Sequence, residues 1–178
     1  MKKLIIAFAF IVSPFVGFAQ GFFDSFENEK DVTAVVVTQN MFKLLAEIDI
    51  ESDDPEVKEY MELVNNLENI KIFMTDNPEV GSKMQNSVNK YLSQNSSLAE
   101  LMRVTEEGKN IKFYSKEGKS KSYVSELLMF LQGDYDGGKD GAIIMSITGN
   151  IDLKQISKLT KDLNVPGSDE LKNLEKKG

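Results

Sequence analysis

The chain has 178 residues, 28 acidic against 21 basic for a formal charge of −7, and contains no Cys, His or Trp. Without His and Cys it has no Ser-His-Asp or Cys-His nucleophile system, no disulfide, no thiolate metal site and no covalent haem. The acidic balance argues against nucleic acid or anionic lipid as partners, and catalysis is left with carboxylates, Lys, Tyr, Ser and Thr.

Residues 1–19 differ in kind from the rest of the chain. Lys2 and Lys3 precede the unbroken apolar run Leu4 to Val12, Ser13-Pro14 breaks it, and Gly17 and Ala19 are the small residues a signal peptidase reads. This pattern predicts a cleavable signal peptide, with Gln20 or Gly21 opening the mature chain. The alternative is an uncleaved anchor, but a span needs about 20 apolar residues and Pro14, Gly17 and Gln20 interrupt this one. No Cys stands at the cleavage point, so no lipid anchor is expected. Losing Lys2 and Lys3 moves the charge from −7 to −9. The expected product is soluble and exported, periplasmic or secreted, and long enough to sustain a core without disulfides.

In the mature chain, Phe22, Phe23 and Phe26 share a face at helical spacing and predict a short N-terminal helix docked on the domain. Val32 to Thr38 is a β-branched, uniformly apolar run that reads as a buried strand. Met41, Phe42, Leu44, Leu45 and Ile48 then stripe a helix. Asp54-Pro55-Glu56 is a helix start, followed by the stripe Val57, Tyr60, Met61, Val64 and Leu67. Ile70 to Thr75 alternates as a strand, and Asn77-Pro78-Glu79 starts a helix to about Gln94, with Val88, Tyr91 and Leu92 inward. Strands follow at Ala99–Thr105, Asn110–Ser115, Val124–Leu131 and Ala142–Thr148, joined by connections short enough to require antiparallel neighbours. Asp152 and Gln155 suggest a capping box for a helix striped by Leu153, Ile156, Leu159 and Leu163.

This order predicts a single α+β domain, mainly an antiparallel sheet with a C-terminal four-strand run and helices packed on one face. The expected organisation is a signal peptide at 1–19, an N-terminal segment with the short Phe-rich helix at 20–30, the α+β domain at 31–164 and a polar tail at 165–178. No G-x-G-x-x-G and no βαβ rhythm are present, so a dinucleotide fold is not expected.

Two acidic segments are candidate cation sites. Glu47 to Glu56 offers Asp49, Glu51, Asp53 and Asp54 as oxygen ligands of the kind Ca²⁺ takes, but no Gly is placed to wrap the backbone round an ion. Asp134, Asp136 and Asp140 superficially resemble a calcium loop, yet Gly138, Lys139 and Met145 stand where an EF-hand needs a ligand, a Gly and a Glu. The plainer readings are a solvated loop that caps a helix and a long hairpin turn. Ser87-Val88-Asn89-Lys90 is a lone Ser-x-x-Lys without companion motifs. Met41, Met61, Met74, Met84, Met102, Met129 and Met145 are spread singly and read as core filling rather than soft-metal ligands. No catalytic residue, cofactor or metal is assigned.

The mature chain resembles the family called domain of unknown function 4252, small exported proteins of Gram-negative bacteria. The resemblance runs through Phe22-Phe23-Asp24-Ser25-Phe26, the stretch from Asp31 to Leu45, Tyr91-Leu92, Glu100-Leu101-Met102 and Val124-Ser-Glu-Leu-Leu128. It is most specific in Ile147-Thr-Gly-Asn-Ile-Asp-Leu-Lys-Gln-Ile-Ser-Lys-Leu159. It implies export and an α+β domain but no activity, so no catalytic residues carry over. Some relatives look like lipoproteins, and the missing Cys separates this chain from them.

The functional expectation is a non-enzymatic envelope protein that binds a protein or small ligand, of undetermined oligomeric state. The alternatives are a periplasmic hydrolase or transferase using carboxylate, Lys or Tyr, and a calcium-dependent module.

Overall fold

The structure, a computed structural model, describes residues 21–47, 55–106, 108–120, 123–134 and 140–152. A 3-10 turn at Asp24–Phe26 leads into β1 (Thr33–Thr38), α1 (Gln39–Glu47), α2 (Pro55–Asn66), β2 (Leu67–Thr75) and α3 (Pro78–Gln94). β3 (Leu98–Glu106), β4 (Lys109–Glu117), β5 (Tyr123–Asp134) and β6 (Asp140–Asp152) complete the described chain. The six strands form one sheet in the order β1-β2-β6-β5-β4-β3, every neighbouring pair antiparallel. After β2 the chain crosses on α3 to the far edge, then returns strand by strand until β6 inserts beside β2.

The α+β class and the four-strand run are as the sequence reads, but the helices lie on both faces rather than one. Period-2 alternation divides each central strand between two cores. Ile143, Met145 and Ile147 of β6 face one way, with Ile70, Ile72, Leu127 and Met129, under Phe42 of α1 and Leu63 and Val64 of α2. Ala142 and Ile144 face the other way, with Phe73, Leu128 and Phe130, under Val80, Met84, Val88 and Tyr91 of α3. A strand buried on both faces reads as continuously apolar, which is how Ala142 to Met145 appears.

The Phe-rich segment does dock, and Phe23 and Phe26 are core residues of the α3 face. Lys71 holds it by bonding Asp24 and, at 3.1 Å, Glu27, while Lys83 reaches Glu29 at 2.8 Å. The chain then turns through Asp31, which adopts φ 63°. This is a conformation that Asp tolerates better than most side chains. It is held there because Thr75 Oγ1 donates to the Asp31 carbonyl at 2.7 Å and Asn77 Nδ2 to its carboxylate at 3.1 Å. Asn77 also caps α3, accepting from the backbone N–H of Glu79 at 2.9 Å and Val80 at 3.3 Å, with Pro78 at the first helical position.

Several expectations need correction. The apolar run before α1 is an edge strand, not a buried one, because β1 has a partner on one side only among the described residues. Met41, Leu44 and Tyr60 are exposed, so none of them belongs to the core stripe. Leu67 opens β2 rather than closing α2. Helix and strand meet there without a loop, and the ladder is irregular around Gly149: the pairing of β2 with β6 shifts between Leu67 and Asn69, and that of β5 with β6 between Val124 and Glu126. β6 runs through Gly149 to Asp152 instead of ending before it. The Asp54 cap, the helix expected after Asp152, the signal peptide and the polar tail lie outside the described residues. Among the described residues no helix is long and apolar enough to cross a membrane.

Gly149 is required twice over: its φ is 146°, and a Cβ there would stand 2.3 Å from the Asn66 carbonyl oxygen. Gly149→Ala is therefore expected to cost about 1–3 kcal/mol in backbone conformation alone, and more as the α2–β2 junction is displaced. Urea unfolding followed by circular dichroism should show a lower midpoint.

Candidate functional site

Of the residues marked in the sequence for cation binding, Asp134 and Asp140 fall among the described residues. Asp49, Glu51, Asp53, Asp54 and Asp136 lie outside the described residues. Asp134 and Asp140 are cross-strand partners that close the β5–β6 hairpin, in keeping with its reading as a turn. Among the described residues no group of three or more acidic side chains could hold a metal ion. Lys90 of the Ser-x-x-Lys spacing is exposed on α3, its Nζ 5.9 Å above the Phe22 ring. Met84, Met129 and Met145 are buried, and Met74 and Met102 pack on the core, as filling residues do.

The sequence reading missed a buried pair. Tyr91 on α3 donates its hydroxyl to both carboxylate oxygens of Glu126 on β5, at 2.9 and 3.0 Å. Glu126 is 4% exposed. Its alternation with Leu128 and Phe130 was the available signal, since an inward register on an apolar strand forces a carboxylate into the core. Burial raises the Glu126 carboxyl above its usual range, partly offset by the Tyr91 hydrogen bond and the charge of Lys116. Burial also raises the Tyr91 phenol well above the ordinary tyrosine range, helped by the negative charge of Glu126 and the hydrogen bond. Phe22 packs tilted and Phe23 edge-on against the Tyr91 ring, with centroids 5.0 and 5.2 Å away. Cross-strand from Glu126, Thr148 has a buried Oγ1 without a hydrogen-bond partner among the described residues. A phenol locked on a carboxylate beneath two rings is a structural brace, poorly placed to meet a substrate.

A cleft of about 530 Å³ lies where the start of α3, the β3–β4 turn and the base of the β5–β6 hairpin converge, lined by Asn77, Ser82, Glu106, Lys109, Asn110, Gln132 and Asp140 among others. Tyr91 and Glu126 do not reach it. The side chain of Asn77 already takes two N–H groups at the start of α3, which leaves the helix end less able to bind an anion.

The feature with the clearest capacity to bind is the β1 edge. Its six residues, Thr-Ala-Val-Val-Val-Thr, carry no charge and no Pro, and they pair with β2 without a register shift. Val35 and Val36 are 42% and 38% exposed, although both occupy a sheet position that normally buries them. The opposite edge, β3, carries Glu100, Arg103 and Glu106 and breaks register between Glu100 and Met102, as edges protected against pairing do. β1 has none of those protections. Next to it, α1 leaves Met41 and Leu44 exposed at 49% and 60%.

A family model described as Domain of unknown function (DUF4252) matches residues 26–159. No curated protein and no solved structure matches the chain.

Removing the hydroxyl in Tyr91→Phe leaves the Glu126 carboxylate buried without its donor and is expected to cost about 1–3 kcal/mol at neutral pH. For Glu126 the sign follows from its raised proton affinity. The folded state holds the proton more tightly than the unfolded one, so this group favours folding most below the usual carboxylate range and least above its raised pKa. Melting curves of Glu126→Gln and the parent across acid to neutral pH should show the variant gaining on the parent as pH rises.

Proposed function

We propose that this chain, which belongs to the DUF4252 family matched over residues 26–159, is an exported, non-enzymatic protein of the cell envelope that works by binding another protein. The observation that carries the reading is the unprotected edge strand β1, with exposed valines on both faces of the sheet and no charge to repel an incoming strand. An extended segment laid along it satisfies the outward backbone N–H and C=O groups of β1, and contacts with Val35 and Val36 supply selectivity. Export is supported by the charged and apolar leader and by where the fold begins, since Phe23 and Phe26, just past the expected cleavage point, are already core residues. The chemistry left to the chain supports a binding role. With no His or Cys, the one buried pair of functional side chains among the described residues is closed on itself and stands away from the cleft.

N-terminal sequencing of the protein recovered from the envelope fraction should begin at Gln20 or Gly21. A product retaining residues 1–19 in the cytoplasm contradicts export. Affinity recovery from the native periplasm should enrich a partner with the parent chain and with Leu101→Lys on the β3 edge, but not with Val35→Lys/Val36→Lys. Equal recovery with both variants contradicts the edge as the binding surface.

A further inference from the structure

The same edge allows its occupant to be specified, and this step rests on β1 being a pairing strand as proposed above. We infer that the strand laid on β1 is the β1 strand of a second copy of this chain, joined antiparallel about a two-fold axis through Val36.

Three observations meet in that arrangement. The first is charge. Two copies of the processed chain, each carrying −9 once Lys2 and Lys3 are lost, repel one another, and a self-contact is favoured where the surface is neutral. β1 is neutral along all six residues, while the β3 edge sets Glu100, Arg103 and Glu106 against any approaching copy.

The second is register. A two-fold axis perpendicular to the sheet keeps each face on the same side, so residues that meet must share a face. With Val36 opposite its own counterpart, Val35 meets Val37 and Ala34 meets Thr38. β-branched and small side chains therefore stack along the whole junction, and no polar group faces an apolar one except at the Thr ends.

The third is area, and it separates a second copy from a free peptide. A six-residue strand pair alone falls short of the roughly 1,200–2,000 Å² of a stable interface. A peptide strand would leave Met41 and Leu44 uncovered. α1 packs on β1 and β2 beneath and on α2 at one flank, so its exposed Met41 and Leu44 lie away from those contacts. The two-fold axis that pairs β1 with β1 brings both copies of α1 to the same face beside it, and their exposed methionines and leucines extend the junction. The product is a continuous sheet of twice the width, closed by the symmetry and ending on two protected β3 edges.

Sedimentation equilibrium of the processed chain at micromolar concentration should give the dimer mass. Val36→Lys should weaken dimerisation by at least about 100-fold, because the axis sets two lysines side by side. Val36 is a surface position, so the fold should persist, as circular dichroism and the melting temperature will show, and Val36→Thr should retain the dimer. Since the chain has no Cys, Val36→Cys should form a self-disulfide on mild oxidation in high yield. Leu101→Cys on the β3 edge should not.

A parent that is monomeric at all concentrations overturns the inference, as does a dimer that survives Val36→Lys, or one whose Val36→Cys form crosslinks no better than Leu101→Cys. A monomeric parent that still recovers a partner through β1 overturns self-pairing alone and leaves the binding reading in place. A monomeric parent that recovers nothing removes both.

Discussion

The structure depends on the insertion of β6 between β2 and β5. The last described strand is the central one, hydrogen-bonded on both sides and buried on both faces. β6 is the strand that joins β1-β2 to β5-β4-β3 in one sheet. Once it pairs, Ile143, Met145 and Ile147 close one core, and Ala142 and Ile144 close the other. The pairing of β6 with β5 is a local hairpin, whereas its pairing with β2 joins segments far apart in sequence and carries the larger loop-closure cost. Gly149 belongs to the same constraint. The irregular ladder on both sides of β6 needs a residue with positive φ and no side chain where α2 runs straight into β2.

Centring the sheet on β6 also decides what is left outside. With β2, β6, β5 and β4 interior, β1 and β3 become the edges. β3 carries charges and a break in register. β1 stays plain, and β2, its one neighbour among the described residues, cannot cover valines that an interior strand would have buried on both sides. The exposure of Val35 and Val36 is thus a consequence of topology acting on an ordinary apolar strand, and it is the physical basis of the proposed binding role. The N-terminal segment contributes by pinning the entry to β1. Asp24, Glu27, Glu29 and Asp31 tie it to Lys71, Lys83, Thr75 and Asn77, and Phe23 and Phe26 lie beneath.

Local chemistry made most elements legible. Asn77-Pro78-Glu79 announced α3 because an Asn cap and an N1 proline act within four residues. The turn-rich segments between β3 and β6 forced antiparallel neighbours because so short a connection reaches no other kind. The failures were non-local. The run Val32 to Thr38 looked buried because composition reports that a strand is apolar, not whether it has one neighbour or two. The sequence places the helices on one face, although a run buried on both faces, Ala142 to Met145, holds the evidence for two covering layers. Glu126 went unnoticed because its partner, Tyr91, sits on another element and only packing brings a hydroxyl to 2.9 Å from that carboxylate.

By itself, then, the sequence determined the class of the fold, the family, the succession of elements and the absence of thiol and imidazole chemistry. The family follows from the match of residues 26–159 to a family model; the others follow from residue type, spacing or local capping. Tertiary structure alone decided which strand is central, which face each helix covers, where the buried carboxylate finds its donor, and that among the described residues one uncharged strand has a neighbour on one side only. Those outcomes depend on strand order and cross-sheet contact between distant residues, and no local pattern encodes which partner a strand will lack.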